Sequence, residues 1–480
     1  MQDQHEERAV VLGGGMAGLL AARVLADKYA DVVVVDRDEL TGVTGFRNGV
    51  PHGRHAHCLV ARGQEIFEEL LPGLTQGMKE AGVTLGDFNG QIQWNFNGHR
   101  LAASDSDLVC VSSGRPILEE HVRRHVQAIP NVRFLEQYDI VGLETTPDKM
   151  RVTGARIQRR EQGSEPEVLS ADLVVDVTGR GSRMPAWLRE LGYEAPPEDR
   201  IKVNLAYTTR HYRFKRNPFT TDIAINQAGT PAFPRGVFCY LLPDGETVEL
   251  SLTGVLGDHA PTDPEGFLAY IKSLPLPDHY EYVHDAEPVD EPVQFKFPAS
   301  VWRHYEQLTR FPGGLLVMGD AVCSFNPVYA QGMTVAGMEA LTLRKHLQIP
   351  GPLNAAAFFG EIAGQIAGPW QFSAIADLGY PGVEGERTDE IRLINQYIPA
   401  VLGAAAYDPV VTDAFLRVAG LVADPMSLMH PDIAIRVGRV LQRAGRPSAS
   451  TPPAAAALDS QRGARCVSSR STSRSRSSMT

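Results

Sequence analysis

The first forty residues contain two short apolar runs separated by a helical stretch. Residues 9–12 (AVVL) and 32–35 (VVVV) are uninterrupted apolar runs, and the stretch from Met16 to Tyr29 lies between them. Continuous rather than alternating apolar strands are typical of a parallel sheet covered on both faces. The pattern therefore predicts a strand–turn–helix–strand unit at the start of an α/β domain.

The rest of the chain divides into regions of different periodicity. Helices are predicted at about 63–82, 115–127, 265–274, 332–346, 354–375, 386–405 and 410–443. Strands are predicted at 132–136, 140–144, 150–157, 173–177, 203–208, 237–242, 247–253, 293–297 and 314–318, with strands and turns over 90–112. The polar turn at 159–165 indicates an antiparallel ribbon. Over 200–300 the strands alternate around a single clear helix, which is typical of a sheet with one polar face.

Composition limits the function classes. The chain has 480 residues, 43% of them hydrophobic, and a net charge of −11, which argues against general nucleic-acid binding. It has neither an apolar run long enough to span a membrane nor a secretory signal, so we expect a cytoplasmic protein without a membrane span. The five cysteines are scattered without C-x-x-C spacing, so no zinc site or disulfide framework is indicated.

A glycine-rich turn lies between the first strand and the first helix. Residues 13–18 (GGGMAG) match G-x-G-x-x-G, and Asp36 ends the following strand. The glycines let backbone N–H groups approach a pyrophosphate at the helix N-terminus, and the carboxylate can bind ribose hydroxyls. The unit predicts a dinucleotide site but does not separate FAD from NAD, and a ligand-free glycine turn is the alternative. The candidate cofactor-binding residues here are Gly13, Gly15, Met16, Ala17, Gly18, Asp36 and Arg37.

A second, distant segment has the features of a flavin site. Residues 314–320 (GLLVMGD) form an apolar run that ends in Gly-Asp, followed by Pro327 and then by Gly332 and Met333 at the start of a helix. Asp320 can accept a hydrogen bond from a ribityl hydroxyl. The helix start at Gly332–Met333 can stabilise negative charge at the pyrimidine edge of a reduced flavin.

With these motifs the chain resembles the flavoprotein monooxygenases of the p-hydroxybenzoate hydroxylase type over about residues 8–345. The resemblance implies an α/β fold with a Rossmann-type, glutathione-reductase-like FAD-binding domain, an interleaved mixed or antiparallel sheet that binds the substrate, and a helical C-terminal region. We expect the FAD-binding domain at 1–85, 105–198 and 305–350, the substrate sheet at 86–104 and 199–304, the helical region at 351–445, and a disordered tail at 446–480.

The resemblance also assigns roles to polar residues outside these motifs. Arg47 and the loop at 49–57 (GVPHGRHAH) lie where such enzymes carry a loop beside the flavin, and Arg115 lies where they place a flavin-contacting side chain. We assign His52, Arg54 and His57 to a flavin-edge loop and expect no catalytic protein residue, because the chemistry is centred on the flavin. A metal site would need a fourth ligand that the loop lacks, and a merely structural loop is the other alternative.

The combination GVP-x-x-RHAH, DVTGRGS and GD-x-x-x-x-FNP-x-Y-x-x-GM looks most like actinobacterial monooxygenases of secondary metabolism. Among these it is similar to epoxidases that act on polyene precursors of polyether ionophores. The resemblance implies that a flavin C4a-hydroperoxide inserts one oxygen atom from O2, by epoxidation or hydroxylation, into a hydrophobic polyketide, polyene or terpenoid. NAD(P)H is the expected reductant. Two departures, Val177-Thr178-Gly179 for Ala-Asp-Gly and Cys323 for histidine, leave a separate flavin reductase possible.

The sequence is compatible with several substrate contacts and with alternative functions. Candidate pocket residues are Trp94, Phe96, Phe238, Tyr240 and Phe297, although an aromatic side chain on an alternating strand is ordinarily core. A reductase of isoprenoid double bonds and a non-catalytic flavin-binding protein are alternatives. A halogenase is less favoured, because the W-x-W-x-I-P signature is missing from the sequence.

Overall fold

The structure is a computed structural model that describes residues 7–444, and the tail predicted at 446–480 lies outside the described residues. Its helices are α1 (Met16–Leu25), α2 (Ala61–Leu70), α3 (Leu74–Glu80), α4 (Arg115–Gln127), α5 (Met184–Leu191), α6 (Pro264–Lys272), α7 (Asp278–Val283), α8 (Gly332–Leu347), α9 (Ala355–Leu378), α10 (Asp389–Ala405), α11 (Pro409–Ala419) and α12 (Pro431–Ala444). Its first strands are β1 (Arg8–Leu12), β2 (Asp31–Asp36), β3 (Cys58–Leu59), β4 (Leu85–Asp87), β5 (Ile92–Phe96), β6 (His99–Arg100), β7 (Val109–Ser112), β8 (Val132–Glu136), β9 (Tyr138–Thr145), β10 (Val152–Arg159), β11 (Glu167–Ser170) and β12 (Leu173–Asp176). The later strands are β13 (Glu198–Ile201), β14 (Leu205–Arg213), β15 (Ala224–Gln227), β16 (Arg235–Leu241), β17 (Thr247–Gly254), β18 (Glu287–Pro288), β19 (Val293–Phe297), β20 (Ser300–Arg303), β21 (Leu315–Val317) and β22 (Cys323–Ser324).

A five-stranded parallel sheet in the order β21-β12-β1-β2-β8 forms the centre of the first domain. Val10 pairs with Val33 on one side and with Val174 on the other, and all three side chains are fully buried. Such valine-rich strands fit a sheet covered on both faces, as the uninterrupted apolar runs predict. The antiparallel ribbon predicted around residues 159–165 is also confirmed, as the sheet β11-β10-β9.

A second, largely antiparallel sheet has the order β18-β14-β17-β16-β15-β5-β6, with β19 beside β14. Strand β5 pairs in parallel with β15, so residues 92–100 join the same sheet as residues 205–297. Val237, Leu250 and Leu252 are buried in a core that they share with α6. The residues that form this sheet fall within the ranges expected for the substrate sheet, and the exact domain limits stay a prediction.

Three predicted helical features differ in the structure. The helix predicted at 63–82 is two helices, α2 and α3, because Pro72 cannot continue the helix and Gly73 adopts a left-handed φ of 88°. The helix predicted at 410–443 is also two, since α11 ends at Ala419 and α12 begins at Pro431. Helix α6 is followed by a second helix, α7, so the single helix expected within 200–300 was wrong.

The C-terminal helices pack against the second sheet rather than standing apart from it. Leu402 of α10 and Phe415 and Leu416 of α11 share a core cluster with Ile92 of β5 and Tyr240 of β16. The helical region therefore covers one end of that sheet. Among the described residues, no helix is both long enough and apolar enough to cross a membrane.

The close contact between the start of α1 and the residues that follow β21 can be tested by substitution. Gly319 has a φ of 65°, and a β-carbon there would lie 2.8 Å from Cβ of Ala17. We expect Gly319→Ala to lower the free energy of unfolding by about 2–4 kcal/mol through backbone strain and overpacking. Gly77→Ala, within α3 and with open space around it, should be neutral or stabilising. Urea unfolding measures both, and a Gly319→Ala protein as stable as wild type would contradict this packing.

Candidate functional site

The glycine turn between β1 and α1 is tight on one side and open on the other. Gly13 has a φ of 112° and donates its N–H to Val35 O at 2.8 Å. A β-carbon on Gly18 would lie 1.9 Å from Gly13 O, whereas nothing lies within 4 Å of one on Gly15. Gly15 is also the N-cap of α1. The open side therefore presents a helix N-terminus to free space, which suits a diphosphate.

Asp36, at the end of β2, is hydrogen-bonded within the protein. Its Oδ2 accepts from Gly14 N at 2.6 Å, and its Oδ1 accepts from Asp38 N at 2.8 Å. Burial raises the pKa of Asp36, and Arg47 together with these N–H groups opposes the rise. The carboxylate thus shapes the turn, so its predicted binding of ribose hydroxyls would share oxygens that already accept hydrogen bonds.

Arg47 and Arg115 meet at a buried carboxylate that the sequence analysis missed. Glu119 Oε1 lies 2.6 Å from Arg47 Nη2, and Oε2 accepts from Arg115 Nε at 2.9 Å. Burial alone would raise the pKa of Glu119, but Arg115 and Arg47 hold it below its ordinary value. Arg47 Nη2 also donates to Gly14 O at 3.4 Å, so this network is tied to the glycine turn. The four-residue spacing of Arg115 and Glu119 on one helix was the available signal.

Asp320 lies in the turn that follows β21, beside the start of α8 and close to the glycine turn. Its Oδ1 is 3.7 Å from the position that a β-carbon on Gly332 would take. The preceding residue, Gly319, donates its N–H to the buried Glu339 Oε2 at 2.5 Å. Burial raises the pKa of Asp320, and Arg180 is the main group opposing the rise. The carboxylate and the helix N-terminus therefore share one cleft, with Ala17 of the front segment in contact through Gly319.

The residues present in this cleft fit FAD. Both amide atoms of the fully buried Gln331, the N-cap of α8, lack a hydrogen-bond partner among the described residues. Such orphaned groups need a partner that both donates and accepts. The open side of Gly15 would hold the diphosphate, Asp320 the ribityl chain and the start of α8 the flavin. These roles remain predictions for each residue.

The histidine loop packs against aromatic side chains of the second sheet, with His55 buried and His52 and His57 half-buried. His52 and His55 have ring centroids 5.9 and 5.7 Å from that of Phe295, and His55 Nδ1 is 2.8 Å from Thr209 Oγ1. Burial lowers the pKa of His55 to about 3 and that of His57 to about 4, and it lowers the pKa of His52 well below its usual value. The three rings are therefore neutral at physiological pH. Across residues 7–444 no His, Cys, Asp or Glu cluster is arranged to hold a metal ion.

The remaining candidate cofactor residues are divided between the interior and the surface. Met16 and Met333, which lie at the starts of α1 and α8, are buried. Arg37 is exposed, and Arg54 is exposed with its guanidinium 4.7 Å from the ring centroid of Phe46. Arg37 and Arg54 therefore do not belong to the buried network that contains Arg47 and Arg115.

An apolar cavity of about 410 Å³ lies between the second sheet, the histidine loop and the C-terminal helices. Four of the five predicted aromatic residues line it, namely Trp94, Phe96, Phe238 and Tyr240. Phe297 does not; it lies under the guanidinium of Arg180, at 5.1 Å from the ring centroid. None of the described residues lining the cavity is Asp, Glu, Lys or Arg. Pro327, predicted to lie by the flavin, forms part of the wall.

The C-terminal helices supply much of the cavity wall, which the sequence analysis did not anticipate. Their lining residues include Phe372, Ile375, Ile394, Ile398, Leu402, Phe415, Leu416 and Leu428. The available signal was the composition of α9, in which Glu361 and Asp377 are the charged residues among 24. A helix that is apolar around most of its circumference is buried on more than one side.

Comparison with known proteins defines the class. The family model described as an FAD binding domain matches residues 6–219. The fold is similar to that of the flavin-dependent brominase Bmp2, with a TM-score of 0.64 and 16% identity over 91% of this chain and 98% of that one. It is also similar to 2-methyl-3-hydroxypyridine-5-carboxylic acid oxygenase, with a TM-score of 0.57 and 18% identity over 85% and 98%. The chain is thus an FAD-binding protein with the p-hydroxybenzoate hydroxylase-type fold, as predicted.

The relationship in sequence is more specific. Protein Rv3254 of Mycobacterium tuberculosis is 33% identical to this chain over 434 residues, which cover 86% of this chain and 89% of the relative. The chain belongs to the same family as Protein Rv3254.

Substitution of Gly15 tests the position of the diphosphate. A β-carbon on Gly15 projects into free space in the apoprotein, so Gly15→Ala should fold with wild-type stability. It should nevertheless bind FAD roughly tenfold more weakly or worse, since the backbone can no longer approach the phosphates closely. The exposed Gly45→Ala, which also meets open space, is the control. FAD titration followed by flavin fluorescence measures both affinities. Equal FAD affinities for Gly15→Ala and Gly45→Ala would contradict the position of the diphosphate beside Gly15.

The neutral histidines predict a pH dependence of stability. The pKa of His55 falls from 6.5 to about 3 on folding. The contribution of the neutral ring to the free energy of unfolding is therefore complete above pH 6.5 and is lost as the pH falls towards 3. As the pH is lowered from 6 to 4, we expect the free energy of unfolding of wild type to fall by about 1.4 kcal/mol per pH unit more than that of His55→Gln. The exposed His99→Gln should follow wild type. Parallel unfolding curves for wild type and His55→Gln would show that His55 is not buried in the neutral form.

Proposed function

We propose that the protein is an FAD-dependent monooxygenase that inserts one O2-derived oxygen atom into a neutral, hydrophobic substrate. The observation that carries this proposal is the apolar cavity bounded by the turn at residues 327–330, which leads directly into the start of α8. A substrate in the cavity would therefore lie next to the predicted flavin position. When bound, FAD supplies the redox chemistry with O2, and the protein supplies binding, orientation and exclusion of water.

The cavity wall supports a hydrophobic substrate. A volume of about 410 Å³ falls in the range of small-molecule sites, which is about 300–1,000 Å³. The aromatic and aliphatic wall gains free energy by removing apolar surface from water, and a charged substrate would find no opposite charge among the described lining residues. A polyketide, polyene or terpenoid meets these requirements.

Proton transfer by the wall is poorly supported, which favours a reaction that does not require it. His57 lines the cavity with a pKa of about 4 and is neutral, and burial raises the pKa of the Tyr240 and Tyr329 hydroxyls well above the usual value. Hydroxylation of a phenol benefits from a base that activates the ring, whereas oxygen transfer to an alkene does not. We therefore favour epoxidation of an unsaturated substrate within the broader proposal.

NAD(P)H is the proposed reductant, delivered directly or through a separate flavin reductase. Halogenation is a second candidate, because Bmp2 shares the fold. The absent W-x-W-x-I-P signature makes it the weaker one. Reduction of an isoprenoid double bond would use the same cavity without O2.

Product analysis with labelled oxygen separates these functions. FAD-loaded protein is supplied with NAD(P)H, 18O2 and a panel of polyenes, terpenoids and aromatic polyketides. A parallel reaction also contains a flavin reductase. A monooxygenase gives a product heavier by a single 18O atom. A product that forms equally well without O2 indicates a reductase, and a halogenated product formed only with bromide or chloride indicates a halogenase. Either result would overturn the proposal.

A charge placed in the cavity should block the substrate but not FAD. Ile398 and Leu393 lie on the same helix, α10; Ile398 lines the cavity, and Leu393 is 57% exposed. Ile398 is half-buried, and a hydrophobic substrate bound against a lysine there would remove water from a charge that has no opposite charge among the described lining residues. We therefore expect Ile398→Lys to lower kcat/KM at least roughly 100-fold, because desolvation of an unpaired charge costs several kcal/mol. Its FAD content should stay at the wild-type level. Leu393→Lys should have little effect on either, and a similar kcat/KM for both variants would place the substrate elsewhere.

A further inference from the structure

A carboxylate of the C-terminal region lies directly behind the cavity wall. Asp377, near the end of α9, is 1% exposed. Its Oδ1 accepts a hydrogen bond from Asn326 Nδ2 at 2.8 Å and another from the Tyr329 hydroxyl at 2.9 Å. Its Oδ2 is buried and has no hydrogen-bond partner among the described residues. One oxygen atom of α9 thus holds two side chains of a distant segment.

Those two side chains lie at the ends of a strained turn. Asn326 caps the 3-10 turn Pro327–Tyr329, because its Oδ1 accepts from Val328 N at 3.1 Å. Ala330 follows with a left-handed φ of 54°. A non-glycine residue in this conformation is strained and persists only where its surroundings hold it. The hydrogen bonds to Asp377 provide such a restraint at both ends of the turn.

The position of the turn connects the cavity with the predicted flavin site. Residues 327–330 line the cavity. Gln331, with its orphaned amide, and Gly332, the first residue of α8, follow directly. A displacement of the turn would therefore move the cavity wall and the start of α8 together.

We propose that Asp377 is a positioning residue for the flavin-facing turn, so that α9 of the C-terminal region completes the site built by the FAD-binding domain. The proposal rests on the proposed function, because it assumes that the flavin lies beside this turn. The turn needs an acceptor oxygen from Asp377 and not a negative charge. Burial, which raises the pKa of Asp377 to about 7, agrees with that requirement.

An asparagine at position 377 keeps the acceptor oxygen, whereas an alanine removes it. We therefore expect Asp377→Asn to retain kcat within about twofold of wild type, and Asp377→Ala to lose roughly tenfold, the effect of about 1.4 kcal/mol of lost positioning. Tyr329→Phe deletes one of the two hydrogen bonds and should show a smaller loss of the same kind. If Asp377→Ala does not fold, the lower kcat expected for Tyr329→Phe still tests the role of these hydrogen bonds.

The experiment compares these variants as full-length, FAD-loaded proteins. A control variant is Ser373→Ala, one helical turn away on α9. Within residues 7–444, the buried Ser373 hydroxyl donates only to carbonyls of its own helix. The readouts are kcat, KM, thermal stability, and the visible absorption and fluorescence of bound flavin. We expect Asp377→Ala and Tyr329→Phe to change the flavin spectrum and kcat beyond any change in Ser373→Ala, with recovery in Asp377→Asn.

Two results would overturn the inference. One is an unaltered flavin spectrum and kcat in both Asp377→Ala and Tyr329→Phe. The other is an Asp377→Asn protein as impaired as Asp377→Ala, which would mean that the ionisable group itself is needed. The flavin spectrum tests the inference even without a known substrate. Failure of the proposed function is distinct, because wild type itself would then show no oxygen insertion.

Discussion

The site depends on the parallel pairing of β1, β12 and β21. Parallel strands end at the same edge of a sheet, so the segments that follow these strands meet there although they are far apart in the chain. The glycine turn, the loop after Asp176 and the Gly319–Asp320 pair are those three segments. The close approach of Gly319 to Ala17 fixes the distance between the front and rear segments. A nucleotide that spans both can bind only if this pairing is kept.

Polar and apolar groups are separated on the two sides of that edge. Buried arginines and carboxylates are paired around Glu119 and Asp36 on the nucleotide side, where their desolvation is offset by hydrogen bonds. The cavity on the other side has an apolar wall that includes one neutral histidine, His57. The flavin would lie between the two regions, with its phosphates in the polar one and its ring next to the apolar one. This division supports the proposal of a hydrophobic substrate next to the flavin.

The sequence was sufficient where a local signal determines the structure. The apolar runs predicted β1, β2 and β21, and Pro116 after Gly114 marked the start of α4, whose bounds match the prediction. The break at Pro72–Gly73 was also signalled locally but was overlooked. Alternation along a strand separates its two faces without saying which one meets a ligand, so Phe238 lines the cavity while Phe297 packs under Arg180. The contributions of α9, α10 and Asp377 could not be predicted, because they depend on tertiary packing between distant segments.

The central claim is that the segments at residues 13–18 and 319–332 bind a single FAD molecule between them. The most direct test is the stoichiometry of FAD in purified wild-type protein after reconstitution, from the visible absorption of protein-bound flavin and the protein concentration. We expect saturable binding of one FAD per chain. Protein that stays colourless after incubation with excess FAD and gel filtration would contradict it.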